Sequence, residues 1–351
     1  MATVSDALAC LRPVTDAGSG KSVVELAWVR NPRLQGSRAI IELALPAHAN
    51  SQRDRIAQEV RRALLNLEGI KDVQIELAAP IAPPPQAPQT RAIPGVKTVV
   101  AISSGKGGVG KSTVAVNLAC ALATTGLRVG LLDADIYGPN TPIMLGLSHR
   151  TPETVEKEGQ QLLIPLESCG IAMVSMGLLI NPGQPVIWRG PMLNGVMRQF
   201  LYQVVWGERD VLVVDLPPGT GDAQLSLAQS VPMEGVVIVT TPQQVALADS
   251  RRGLAMFQQL QVPILGVVEN MSWFIPPDQP NKRYALFGEG GGAQLAGEAQ
   301  VPLLAQLPLQ MQGVEDGDRG KPLVLSQPDS PAGVALNALA QQLRNRLMTR
   351  W

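Results

Sequence analysis

Cysteine is scarce. Cys10, Cys120 and Cys169 are the three in 351 residues, and they lie far apart along the chain. So low and scattered a count excludes a disulfide framework and fits reduced thiols. An excess of charge of one sign is also lacking, because Lys plus Arg and Asp plus Glu each total 29. A chain that lived on nucleic acid would carry a basic excess or a basic block. Pairs such as Arg61-Arg62 and Arg251-Arg252 read instead as solvated helix faces. No apolar run approaches the ~20 residues that a membrane-spanning helix needs. The first residues, from Met1 to Leu8, carry neither the basic start nor the long apolar stretch of a secretory signal. The expectation is a cytoplasmic protein without nucleic-acid or membrane partners.

What is present is a well-provisioned core. Apolar residues make up 45% and charged residues 17% of the chain, which predicts packed structure rather than disorder. The length predicts about two or three domains. Between Pro80 and Pro94 six of fifteen residues are proline. Proline fixes φ and removes a backbone donor, so this stretch forms neither helix nor sheet and reads as a spacer. The predicted division is a small α/β domain over 1–79, a linker over 80–95 and a larger α/β domain over 96–351. In the small domain, 23–29, 38–45 and 73–77 read as strands. Residues 50–69 read as a helix, with Ile56, Val60, Leu64 and Leu67 on one face and Gly69 closing it. In the large domain, 99–102, 129–132, 211–214, 236–239 and 264–268 are continuous apolar runs separated by helical segments. That alternation predicts a mostly parallel sheet, buried on both faces and flanked by crossover helices.

The chemistry sits after the first of those strands. Gly105, Lys106, Gly107, Gly108, Val109, Gly110, Lys111, Ser112 and Thr113 fit the G-x-x-x-x-G-K-[ST] pattern between strand and helix. Glycines let backbone N–H groups turn inward around phosphate oxygens, and the following helix offers its positive end to the same anion. Lys111 would reach the β- and γ-phosphates of ATP, and the Ser112 hydroxyl would ligate Mg²⁺. Asp133 and Asp135 stand at the end of one predicted strand and Asp215 at another, where open α/β sheets bind ligands. Asp215 suits the Mg²⁺ shell, and the Pro- and Gly-rich stretch from Leu216 to Asp222 suits a switch that follows the γ-phosphate.

Lys106, a second lysine inside the loop, resembles the signature lysine of the MinD/ParA/nitrogenase-iron-protein class. There the corresponding lysine crosses a nucleotide-sandwich dimer to the partner's phosphates. The chain resembles more closely the Mrp family of iron–sulfur cluster carrier ATPases. The resemblance rests on Pro185–Met192 with its Trp188-Arg189-Gly190-Pro191, on Asp215–Asp222, and on Thr240–Gln244. It rests further on Val268–Ser272, Phe287–Gly292 and Gly317–Pro322. The first eighty residues resemble the MIP18-type domain that often precedes the ATPase in that family. The resemblance implies a P-loop NTPase fold, a homodimer, iron–sulfur apoproteins or assembly scaffolds as partners, and catalytic roles for Lys106, Lys111 and Asp135. It gives Asn270 to the adenine and Asp135 to the attacking water.

It also implies a [4Fe–4S] cluster bridged by a Cys-x-x-Cys from each subunit, shortly after Asn270-Met271-Ser272. Here Pro276 and Gln279 stand at those positions. Neither replaces a thiolate on iron. In the MIP18-type domain, His48 stands where relatives carry cysteine. Cys10 reads as filler on a short N-terminal amphipathic helix. Cys120 reads as a core residue, and Cys169 as a more exposed thiol before an apolar strand. Two other readings stay open: a nucleotide-switched scaffold that binds no cluster, and a MinD/ParA-like spatial organiser. The organiser's best support is the last helix, predicted from Ser330-Pro331 with Leu336, Leu339, Leu343 and Leu347 on one face. With Arg344, Arg346, Arg350 and Trp351 it could lie on a membrane or dock on the domain.

Overall fold

The computed structural model describes residues 3–349 except 17–19, 27, 46–52, 78–89, 137, 158, 180–189 and 280. His48, residues 80–89 of the proline-rich stretch, residues 185–189, Arg350 and Trp351 therefore lie outside the described residues. The chain divides into two compact units, residues 1–88 and 89–351.

The first unit opens with α1 (Val4–Cys10), whose start is fixed by a reciprocal cap. The Thr3 hydroxyl accepts from the Asp6 amide at 3.2 Å, and the Asp6 carboxylate accepts from the Thr3 amide at 2.9 Å. Strands β1 (Val29–Gln35), β2 (Arg38–Leu43) and β3 (Asp72–Leu77) form a sheet in that order, antiparallel and then parallel. Helix α2 (Arg53–Leu65) covers it with Ile56, Val60 and Leu64, four residues apart and all buried. The expected strand over 23–29 is corrected. Val23 to Leu26 form a turn, in which the Leu26 amide donates to Ser22 and the Trp28 amide to Val23. The strand begins at Val29 and runs through Asn31 and Pro32, where a bulge breaks the register. Proline and polar residues are tolerated there because β1 is an edge strand.

The second unit is built on eight strands. They are β4 (Val99–Ser104), β5 (Val129–Asp133), β8 (Leu166–Ser168), β9 (Ile171–Ser175), β10 (Val211–Asp215), β11 (Gly235–Thr240), β12 (Ile264–Glu269) and β13 (Leu303–Gln306), with a separate hairpin of β6 (Thr154–Lys157) and β7 (Gln160–Leu163). The order across the sheet is β13-β12-β11-β4-β10-β5-β9-β8, parallel throughout except for β8 at one edge. Both faces are covered, so each strand alternates between two cores rather than between core and water. Val100, Ile102 and Val213 face one core. It is filled by α3 (Lys111–Thr124), the short α4 (Thr141–Met144) and α10 (Leu323–Ser326), and α11 (Pro331–Met348). Val99, Ala101, Leu212 and Val214 face the other, with Phe200 of α5 (Gly190–Tyr202), Leu227 of α6 (Asp222–Ser230), Phe257 of α7 (Gln244–Gln259) and Leu295 of α8 (Gly291–Ala299). Helix α9 (Met311–Asp318) packs against α4 and α10.

Helix α11 begins at Ser330, whose hydroxyl accepts from the Gly333 amide at 3.1 Å, with Pro331 at its first position. Leu336, Leu339, Leu343 and Leu347 are buried in the same core as α3. Each such burial contributes about 1.5–3 kcal/mol, an upper estimate. The apolar face proposed for a membrane surface is thus spent on the domain itself. No helix among the described residues is long and apolar enough to cross a membrane. The topology gathers the ends of β4, β5, β10 and β12 at one edge of the sheet, carrying Ser104, Asp133, Asp215 and Glu269.

Candidate functional site

The loop from Gly105 to Gly110 joins β4 to α3. Gly105 admits no side chain, because a Cβ there would run into the backbone of Asp249 and Ser250 on α7. Gly110 sits at φ +81° as the residue before α3, against the Asn270 amide, so it is doubly bound to be glycine. The Ser104 hydroxyl donates to the Lys106 carbonyl at 2.9 Å and stiffens the entry to the loop. At the exit the Asn270 amide donates to the Val109 carbonyl at 2.9 Å. Gly107 and Gly108 are exposed and Lys106 is half-buried, with no ion pair among the described residues.

Lys111, the first residue of α3, is 6% exposed and points into a nest of carboxylates. Its ammonium lies 2.7 Å from Asp215 Oδ1, 3.6 Å from Asp135 Oδ2 and 3.3 Å from the Ser112 hydroxyl. Asp215 is fully buried, and its other oxygen, Oδ2, has no hydrogen-bond partner. Burial pushes the Asp215 carboxyl above its ordinary range, against the opposing pull of Lys111. Asp133 is fully buried too. It accepts from the Thr141 and Ser175 hydroxyls at 2.7 and 2.9 Å and from the Asp135 amide at 3.1 Å. Burial first, and then the neighbouring Asp215, push it up to about 7. The Asp133 ligation orients the turn that presents Asp135 to the cradle. Thr141 and Ser175 were not legible as functional residues, since a hydroxyl that serves a buried acid carries no spacing signal.

The segment after Asp215 is laced to β4. The Leu216 amide donates to Ile102 and the Gly219 amide to Ser104, each at 3.0 Å. Gln224 on α6, 1% exposed, accepts from the Ser103 hydroxyl and donates to the Pro217 carbonyl. A glutamine inside an amphipathic helix offers no sequence clue to this clasp.

A cavity of about 310 Å³ is lined by Lys106, Gly107, Gly108, Gly110, Lys111, Ser112, Thr113 and Asp135. Beside it an apolar cavity of about 200 Å³ runs past Gly110, Thr113, Asn270, Leu307, Pro308 and Leu309. The first carries the two loop lysines and Asp135, and the second is mostly apolar with Asn270 in its wall, Gly110 and Thr113 being common to both. The sequence-predicted residues are therefore brought together, Asp215 and Asp135 included. The donor set also fits Mg²⁺, with a hydroxyl at Ser112 and a buried carboxylate oxygen at Asp215 that lacks a partner.

The positions of the implied cluster ligands are different. Gln279 lies in a turn beside Pro276 and Pro277, its backbone N–H donating to the Pro276 carbonyl at 3.1 Å. No group of three or more His, Cys, Asp or Glu side chains suited to a metal occurs among the described residues. Cys10 belongs to the first unit, and Cys120 and Cys169 to the second.

Comparison with known proteins agrees with this geometry. Residues 95–344 match the family model for the NUBPL iron-transfer P-loop NTPase of the ParA group, and residues 5–77 match that for an iron–sulfur cluster assembly protein. An iron–sulfur cluster carrier protein of Synechocystis sp. is 53% identical over 347 residues, covering 99% of this chain and 98% of that one. The carrier protein of Escherichia coli is 42% identical over 307 residues, covering 88% and 81%. Among solved structures, a nucleotide-binding protein of Archaeoglobus fulgidus in complex with ADP is 36% identical, with a TM-score of 0.57 over 65% of this chain and 88% of that one. MinD of Pyrococcus horikoshii, complexed with Mg-ADP, shares the fold at 22% identity, with a TM-score of 0.51 over 70% and 95%. The chain belongs to the NUBPL/ParA family of iron-transfer P-loop NTPases and carries the accompanying iron–sulfur assembly domain at its N-terminal side.

Proposed function

We propose, from that family membership, that the chain is a homodimeric, Mg²⁺-dependent ATPase of the cytoplasm that serves the delivery or maturation of iron–sulfur clusters in apoproteins. The observation that carries the ATPase half is Lys111, buried at the base of the phosphate cavity and bonded to Asp215 at 2.7 Å. Triphosphate oxygens compete with Asp215 for that ammonium, and Asp215 with Ser112 would hold Mg²⁺. Bound Mg²⁺ supplies charge neutralisation for the β- and γ-phosphates. Asp135 at the cavity wall orients the water that attacks the γ-phosphorus as its bond to the bridging oxygen breaks. Lys106, at the half-open lip, reaches across the dimer to the partner's phosphates and offsets the charge that develops on that oxygen. Asn270 faces the adenine. ATP closes the dimer and hydrolysis reopens it, so nucleotide state gates contact with client or cargo.

The cluster is cargo in this scheme, and no step is assigned to it. The iron–sulfur role is supported by the relatives named as carriers and by the assembly domain. The second reading, a nucleotide-switched scaffold that holds apoproteins and binds no cluster, is favoured by Pro276 and Gln279 at the expected ligand positions. Phosphate release from Mg-ATP by the purified chain tests the common ground. The parent turns over and Lys111→Ala does not, with thermal unfolding recorded to exclude a folding defect. Turnover by a folded Lys111→Ala variant would overturn the assignment.

A further inference from the structure

Cys120 and Cys169 stand far apart in sequence and meet in the fold. Cys120 lies on the third turn of α3, fully buried in the core that α3 shares with α11. Cys169 and Gly170 are the two-residue turn of the β8–β9 hairpin, between the paired Ser168 and Ile171. Their φ angles are +52° and +77°, so both adopt the left-handed conformation of a tight hairpin turn. Asparagine and glycine are the usual occupants, and a cysteine at the first position is uncommon. The turn rests on α3, because a Cβ at Gly170 would stand 3.8 Å from the Ala123 Cβ. Ala123 is one helical turn beyond Cys120 and shares its face. Cys169 packs against the cluster that contains Cys120. The Ser168 hydroxyl donates to the Cys169 sulfur at 3.6 Å. The thiol of Cys169 is half-buried, within reach of a small oxidant, whereas that of Cys120 is sealed.

We propose that Cys120 and Cys169 are an oxidative modification site, a dithiol that peroxide converts into a disulfide between α3 and the β8–β9 turn. The neighbouring Cys120 first, and then the Ser168 hydroxyl, hold the Cys169 thiol down at about 6 against the effect of burial, so at neutral pH it is the nucleophile. Its thiolate attacks one peroxide oxygen, the O–O bond breaks, and the departing hydroxide takes up a proton as water. The Cys120 sulfur then attacks the resulting sulfenic sulfur, loses its proton, and expels a second water. Two thiols lose two electrons, and one peroxide becomes two waters. The bond anchors the helix that presents Lys111 and Ser112 to the hairpin at the sheet edge. Cys10 takes no part; it lies in the other unit, its thiol donating to the Ala7 carbonyl at 3.1 Å.

The test uses the whole native chain, treated with hydrogen peroxide and digested without reduction. The expected product joins the tryptic peptides 112–128 and 158–189, two hydrogens lighter than their sum, and it disappears on treatment with dithiothreitol. Titratable thiol falls by two per chain, leaving Cys10. Cys10→Ser retains the cross-link, and Cys120→Ala and Cys169→Asn each abolish it, the asparagine preserving the left-handed turn. Native chain that keeps all three thiols, or that collects sulfinic acid on Cys169 with Cys120 still free, overturns the proposal.

Discussion

Two acids face Lys111 at the cradle, and each asks for a different experiment. Asp215 faces Lys111 at 2.7 Å and keeps one oxygen without a partner, the arrangement expected of a group that also serves a cation. Asp215→Asn should therefore raise the Mg²⁺ concentration needed for half-maximal turnover, read by Mg²⁺ titration at fixed ATP. Asp135 stands further from the lysine, at 3.6 Å, and its backbone is fixed by Asp133. Asp135→Asn should slow turnover by about 10²-fold, the scale of a lost proton-handling or water-orienting group, while ATP still binds. A parental rate in that variant would mean that another group orients the water. Lys106 forms no ion pair among the described residues. Lys106→Ala should keep ATP affinity within about fivefold, since the loss of a solvent-accessible charge contact is worth at most ~1 kcal/mol. Turnover and ATP-dependent dimerisation, followed by light scattering, should both fall. Equal losses of affinity in Lys106→Ala and Lys111→Ala would remove the case for a lysine acting across the dimer.

At the scale of elements, one acid outside the site ties the sheet together. Asp210, just before β10, accepts from Lys97 before β4 at 2.9 Å and from the Arg128 backbone and guanidinium before β5 at 2.9–3.1 Å. Arg128 above all, with help from Lys97, holds its carboxyl well below the usual carboxylate range. The sign follows. A depressed folded pKa gives stability that is complete above the unfolded value of about 3.9 and is lost as pH falls below it toward the folded value. Asp210→Asn should cost about 1–3 kcal/mol at pH 7, and the gap to the parent should narrow in denaturant titrations below about pH 4. A gap of the same size at pH 3 and pH 7 would show that the acid acts by shape rather than charge. The strands that Asp210 ties were legible, because β4, β5, β10, β11 and β12 are apolar on both faces and flanked by turn residues. β1 was not legible. Its Val-Arg-Asn-Pro-Arg-Leu-Gln is polar, interrupted by proline and held in place by β2, so tertiary pairing outweighs local propensity. The loop from Gly105 to Thr113 was readable residue by residue, because its glycines and lysines form one contiguous pattern between a strand and a helix. The hydroxyls on Asp133, the Gln224 clasp and the meeting of Cys120 with Cys169 depend on which elements pack together, and sequence spacing does not encode that.

At the scale of the whole molecule the family's cargo and this chain's ligands have to be reconciled. A bridging [4Fe–4S] cluster needs about four thiolate-quality ligands, and the segment from Met271 to Tyr284 supplies none. Phe274 pairs with Tyr284 across that segment, and Trp273 stacks under Arg283 at 4.6 Å, so a backbone bridge and a cation–π contact, not thiolates, hold its described residues. Of the three cysteines, Cys120 is sealed in the core and Cys169 rests against it, which leaves Cys10 in the first unit. Anaerobic reconstitution with iron and sulfide should accordingly yield at most a weak, labile cluster, with iron and acid-labile sulfide well below stoichiometry after desalting. The comparison is the parent against a Cys10→Ser, Cys169→Ser variant, with the visible spectrum recorded on both. Little cluster on either, with ATP turnover intact, supports the scaffold reading, in which the nucleotide gates contact with apoproteins rather than with the cluster itself. A stable stoichiometric cluster on the parent that vanishes in the double variant would place the site on these thiols and restore the carrier reading. A stable cluster that survives in both would mean that ligands other than thiolates of this pair suffice, and the argument from Pro276 and Gln279 would fall.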